Sequence, residues 1–196
     1  MVPIKIHRAI ARFLSPLRRV KPRWIYPFSL TLGLIGQISA IALSENPNHR
    51  EQLLSKNECV GCDLSGASLY AYVLDGAILR EANLALAGLQ GSSMNNADLS
   101  NANLQEANLA LVKLEGANLS GAKMNKAYLY QTVLVGANLS NVDLREATLE
   151  LADLRGADLS NADLRKAKLR KARLQGANLS GVKLEGAELP DGSRGK

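Results

Sequence analysis

The chain has 196 residues, a formal net charge of +6 and only 4% aromatic residues. Trp24 is the one tryptophan and both phenylalanines, Phe13 and Phe28, precede residue 30, which excludes an aromatic-packed core beyond that point and leaves packing to Leu and Ala. From Cys59 onward 15 basic and 15 acidic side chains balance, so the excess charge belongs to the start of the chain and does not mark a nucleic-acid-binding domain.

Residues 1–23 form a basic leader, with Lys5, Arg8, Arg12, Arg18, Arg19, Lys21 and Arg23 and no acid. Residues 24–43 (WIYPFSLTLGLIGQISAIAL) carry no charge, and as a helix they reach ~30 Å, about one hydrocarbon core. The long basic region favours an uncleaved signal anchor crossing the membrane. The polar interruptions at Ser29, Thr31, Gln37 and Ser39, and the small-x-small Ala40-Ile41-Ala42, favour a cleaved signal peptide. Arg18-Arg19 does not read as a twin-arginine signal, since Val20 and Lys21 follow it. Both readings keep the N-terminus cytoplasmic and place everything after residue 43 on the other side of the membrane.

Residues 44–58 read as a linker and a short capping helix. Asn46 is an N-cap, Pro47 suits the first turn, and Leu53 and Leu54 are expected to seal whatever follows.

From residue 59 to 189 the pattern changes to a strict period of five. Of the 26 positions from Leu64 to Leu189, 24 are Leu and the other two are Met94 and Met124. Two residues before each lies a small residue, Ala in 19 of the 26 cases, and the residue between is usually Asn, Asp or another polar type. Five matches neither the 3.6-residue helical period nor the 2-residue strand period, so only a chain that turns a corner every five residues buries these leucines together. A second period of 20 recurs in Gly116, Gly136, Gly156 and Gly176 and in Ser100, Ser120, Ser140, Ser160 and Ser180. It appears again as alternating charge in Glu106, Lys126, Glu146 and Lys166, and in the pairs Glu150/Arg170 and Asp153/Arg173. Four pentapeptides per coil bring these charges into register and predict attraction along the columns, while Asp143/Asp163 and Arg145/Arg165 stack as like charges.

The repeat Ala-(Asn/Asp)-Leu-x-x, clean in Ala102-Asn103-Leu104, Ala157-Asp158-Leu159 and Ala177-Asn178-Leu179, resembles the pentapeptide-repeat family over about two thirds of the chain. The resemblance implies an all-β fold, a right-handed quadrilateral β-helix with the central Leu and preceding Ala inward. The run Cys59-Val60-Gly61-Cys62-Asp63-Leu64-Ser65-Gly66 is similar to the start of exported cyanobacterial members, which implies a periplasmic or thylakoid-lumenal location.

No histidine follows His49, which removes the commonest general base from the repeat, and the carboxylates fall on outward phases. An enzyme is therefore not expected, nor a cofactor or metal site. Cys59 and Cys62 lie on inward phases and read as a structural start to the first coil, disulfide-linked if exported. A redox C-x-x-C is the alternative. The basic run Arg165, Lys166, Lys168, Arg170, Lys171 and Arg173 is expected to be answered by Glu146, Glu150, Asp153, Glu185 and Glu188 one coil away. Tyr72, Ser92, Val112 and Thr132 replace Ala in one column and predict a locally wider cross-section. Pro190 stops the ladder, and the 190–196 tail offers nothing bulky to cover it, which suggests a homodimer through that end.

These residues predict a non-enzymatic structural or protein-interaction scaffold, exported or membrane-tethered. Tyr70, Tyr128, Tyr130, Leu111 and Leu151 are its candidate contact surface, and the partner is unspecified. The alternatives are a DNA mimic that binds a topoisomerase, which a charge-neutral rod argues against, and an exported thiol protein.

Overall fold

The computed structural model describes residues 46–196. The basic leader, the 24–43 segment and the candidate cleavage site at Ala40-Ile41-Ala42 lie outside the described residues.

One helix opens the described chain, α1 (Pro47–Lys56). The Asn46 side chain accepts the Asn48 N–H at 3.1 Å, and Pro47 fits a first turn whose amide needs no partner. Asn57 ends the helix in the left-handed region, returning its N–H to the Leu53 carbonyl at 2.8 Å. Leu53 is fully buried at the head of the core. Leu54, expected to share that role, is exposed instead. It lies one helical step of about 100° further round, so the two cannot point the same way. His49 completes the seal: its Nδ1 accepts the Asp63 N–H at 3.0 Å, standing in for the coil that does not precede the first one.

The interior pentapeptides with Asn or Asp before the central Leu close in the same way, and residues 117–121 show how. The Ala117 N–H reaches back to Leu114 O across a turn at 3.2 Å, Asn118 N–H goes to Ala97 O in the preceding coil at 2.9 Å, and Leu119 N–H goes to Asn138 O in the next at 2.7 Å. Gly121 N–H joins Ser140 O in the next coil at 2.9 Å. The remaining amide, Ser120 N–H, is taken by the Asn118 side chain at 3.2 Å. This explains the Asn or Asp that recurs before many of the central leucines: its oxygen satisfies the one backbone donor that neither the turn nor the ladder reaches. Some stacked pairs also bond to each other, as Asn103 does to Asn83 and Asn83 to Asp63 at 2.9 Å each.

The corner residue two after each central Leu has positive φ, the third position of a type II turn. Glycine serves at many corners, Asn at others, and at Leu86, Leu111 and Leu151 a leucine does. At Gly121 a side chain is also excluded sterically, since an added Cβ would lie 2.5 Å from Asn101 Oδ1 in the coil before.

Parallel bridges join residues 20 apart without a break from Glu58↔Ile78 to Lys168↔Glu188. The chain is thus a four-sided solenoid. Face 1 is centred on Cys59, Leu79, Leu99 and onward by 20, face 2 on Leu64 and Leu84, face 3 on Leu69 and Leu89, and face 4 on Leu74 and Met94. The central Leu and the Ala before it fill the core. The wider column is internal: Ser92, Val112 and Thr132 are buried, and Thr132 Oγ1 donates to Leu109 O at 2.8 Å.

The C-terminal end departs from expectation. The chain turns at 189–192 and doubles back, with Glu188 paired antiparallel to Arg194. Leu189 N–H donates to Ser193 O at 2.8 Å, and Gly195 N–H to Ala187 O at 2.8 Å. The tail therefore covers part of the last edge with backbone rather than bulk. That pairing does not reach Leu174, Ala177, Val182 and Leu184, which are only half-buried.

Candidate functional site

Face 3 gathers the candidate contact residues. Tyr70 and Tyr130 share its outward column after the central Leu, and Tyr128 stands in the column before it. Tyr128 and Tyr130 flank Leu129 in an extended segment, so both rings emerge on the same side and stack, with centroids 6.1 Å apart and planes 7° from parallel. Leu111 and Leu151 occupy the corner between faces 3 and 4, at φ 61° and 60°. Tyr70 is 68% exposed, Leu111 57%, Tyr128 43% and Leu151 39%.

The two corner leucines are doubly costly. A branched side chain in the left-handed region forgoes about 1–2 kcal/mol that glycine would not, and each leaves apolar surface in water. Stability alone selects against both. Leu86, at φ 60° and also exposed, stands at the opposite corner of the same face and was not among the sequence candidates. The signal for it was available, since Leu86 and Leu111 share one phase of the five-residue repeat.

The strand positions of face 3 and its corner with face 4 are free of charge from Ala67 until Glu150, whereas its corner with face 2 carries Glu106, Lys126 and Glu146. That segregation appears only when the sequence is folded at 20 residues per coil.

The charged columns behave differently from expectation. Asp153 and Arg173, 20 apart, do meet at 3.6 Å. Among the described residues the columns Glu106/Lys126, Glu146/Lys166 and Glu150/Arg170 form no ion pair, nor do Glu185/Arg165 and Glu188/Lys168. The close pairs lie within single pentapeptides: Arg145 to Asp143 at 2.7 Å, Arg155 to Asp153 at 2.7 Å and Arg165 to Asp163 at 2.6 Å. Residues on either side of an extended central Leu project to the same side, and a planar guanidinium reaches both carboxylate oxygens there. This arrangement also explains how like charges stack at Asp143/Asp163 and Arg145/Arg165, because each coil contributes a neutral pair, with Arg145 3.9 Å from Asp163. Among the described residues, the Arg165, Lys166, Lys168, Arg170, Lys171 and Arg173 run is therefore paired only at Arg165 and Arg173.

These pairings lower the pKa of the carboxyls. The Arg145 guanidinium holds Asp143 below its ordinary value, Arg155 does so for Asp153, and Arg165 for Asp163.

Cys59 and Cys62 are bonded to each other at the first corner, and both are buried. No group of metal-ligating side chains occurs among the described residues. No helix among them is long and apolar enough to cross a membrane.

The pentapeptide repeats family model matches residues 58–92, 82–121, 113–150 and 149–186, in 8 copies. Among solved structures the chain is similar to HetL, a pentapeptide repeat protein involved in heterocyst differentiation regulation from the cyanobacterium Nostoc sp. strain PCC 7120. The two are 37% identical with a TM-score of 0.54, over 70% of this chain and 66% of HetL, so the chain spans slightly less than two thirds of that protein. It is also similar to Rfr23 from the cyanobacterium Cyanothece 51142, at 29% identity and a TM-score of 0.42, over 69% of this chain and 94% of that one. A pentapeptide repeat protein of the Arabidopsis thaliana thylakoid lumen matches at 25% identity and a TM-score of 0.29, over 76% and 78% of the two chains. No curated protein matches the chain. The family model spans the same residues whose turns and 20-residue register build the solenoid, and the chain belongs to the pentapeptide repeat family.

Proposed function

We propose that the protein is a non-enzymatic scaffold that binds a partner protein through face 3, on the non-cytoplasmic side of a membrane. The observation that carries the binding reading is the uncharged face with exposed Tyr70, Tyr128, Leu111 and Leu151, two of them leucines at strained corners. Strained backbone supporting exposed apolar surface is a cost to folding, and recognition is the use that offsets it. The location rests on the basic leader followed by the uncharged 24–43 segment.

A photo-crosslinking amino acid placed at Leu111, compared with one at Ser120 on face 1, tests the binding reading in the cells that make the protein. A discrete adduct is expected from position 111 and not from position 120, and equal labelling from both would overturn it. Fractionation of a C-terminally tagged chain, with N-terminal sequencing, tests the location. A protease-protected tag on the non-cytoplasmic side is expected, with the N-terminal sequence separating an anchor from a cleaved signal.

A further inference from the structure

The neutral rod is not neutral along its length. Residues 59–158 carry six basic and eleven acidic side chains, and residues 159–196 carry nine basic and four acidic. The first five coils thus hold an excess of five negative charges and the C-terminal end an equal excess of positive ones.

The positive end is also where the ladder is open. In every interior coil the N–H groups of the central Leu and the corner residue bond to the next coil, and the carbonyl of the small residue accepts from it. Among the described residues, the N–H groups of Leu174, Gly176, Leu179, Gly181 and Leu184 meet no backbone carbonyl, and the carbonyls of Ala177 and Val182 meet no N–H. The tail covers only the run from Gly186 onward, where the Gly186 N–H donates to Gly195 O at 3.1 Å. Leu179, whose equivalents Leu99, Leu119, Leu139 and Leu159 are fully buried, is 42% exposed. Lys183 lies on the open run with one acid, Glu185, and Arg194 beside it at Gly186, and Arg173, paired with Asp153 in the coil before, borders the same run.

We infer that this edge binds an extended, acidic segment of a partner protein, which adds to the solenoid as a further parallel strand. The unpaired donors and acceptors supply a strand-addition template, the half-exposed leucines receive small and apolar side chains two residues apart, and the surrounding cations select outward acids. A second copy of this chain is disfavoured at the same edge, because two C-terminal ends placed face to face bring two excesses of five positive charges together. The site is separate from face 3 and does not depend on it.

Full-length protein can be titrated with a synthetic peptide built on Ala-Glu-Leu-Glu-Gly units and with the same peptide carrying Lys for Glu, read by fluorescence anisotropy. The acidic peptide is expected to bind roughly tenfold or more tightly than the basic one, and to weaken several-fold between about 50 and about 200 mM salt. Leu179→Glu is expected to abolish binding while leaving the melting transition in place, since the residue lies in a terminal coil. The double variant Arg173→Glu, Lys183→Glu keeps the edge and is expected to reverse the preference. Equal affinity for both peptides, or binding unchanged in Leu179→Glu, overturns the proposal. So does a dimer by light scattering that Leu179→Glu dissociates, which would assign the edge to a second copy.

Discussion

Where Asn or Asp precedes the central Leu, its side chain carries a local duty that hydropathy patterns do not reveal. It is outside the core, yet its oxygen closes the hydrogen-bond inventory of the pentapeptide, as Asn118 does for Ser120 N–H. Where the following residue is Arg, the same carboxylate also takes the guanidinium, with bonds of 2.8 and 2.7 Å from Arg155 to Asp153. The lowered pKa values of Asp143, Asp153 and Asp163 set a pH dependence. A carboxyl whose folded pKa lies below its unfolded value adds stability that is present above about pH 4 and is lost as pH falls through the folded value. Solvent screening at the exposed arginines keeps the contribution of each pair small. The urea midpoint is expected to stay level from about pH 7 to pH 5 and to drop below about pH 4. A midpoint that rises on acidification would show the pairs to be unfavourable.

At the scale of the element, a coil is stabilised by its two neighbours, so position along the rod should decide the cost of an identical change. Leu119 and Leu179 occupy the same phase of the same face, one fully buried and the other 42% exposed. Leu119→Ala is expected to cost about 2–5 kcal/mol and Leu179→Ala less than half of that. Chemical denaturation of both variants checks the ratio, and similar losses would mean that the last coil is packed like the interior. The capping elements follow the same neighbour logic. The role of Leu53 was legible because Asn46 and Pro47 mark where α1 begins, but the choice between Leu53 and Leu54 was not, because the rotation of a single helix over a core is set by contact.

Across the whole molecule, the leucine column is one continuous core from Leu53 to Leu169, and no second core exists among the described residues to hold part of the rod if it breaks. Leu139→Asp places a charge at the middle of that column, where desolvation without a partner costs several kcal/mol. Loss of the single cooperative melting transition is expected by circular dichroism. A wild-type melt would mean that leucines there do not converge on a common axis. The whole-molecule view also shows what no single coil contains, namely an uncharged face beside charged ones and a rod negative toward one end and positive toward the other.

The amino-acid sequence by itself determined the solenoid, its four corners per coil and its start. Each pentapeptide encodes its own turn, and residues spaced by 20 repeat often enough to reveal the register. Only the tertiary structure decided which charges meet, which of two leucines seals the first coil, and how much of the last edge the tail covers. Those outcomes depend on the reach of side chains to neighbours in space and on the path of a segment without a repeat, and a periodicity carries neither.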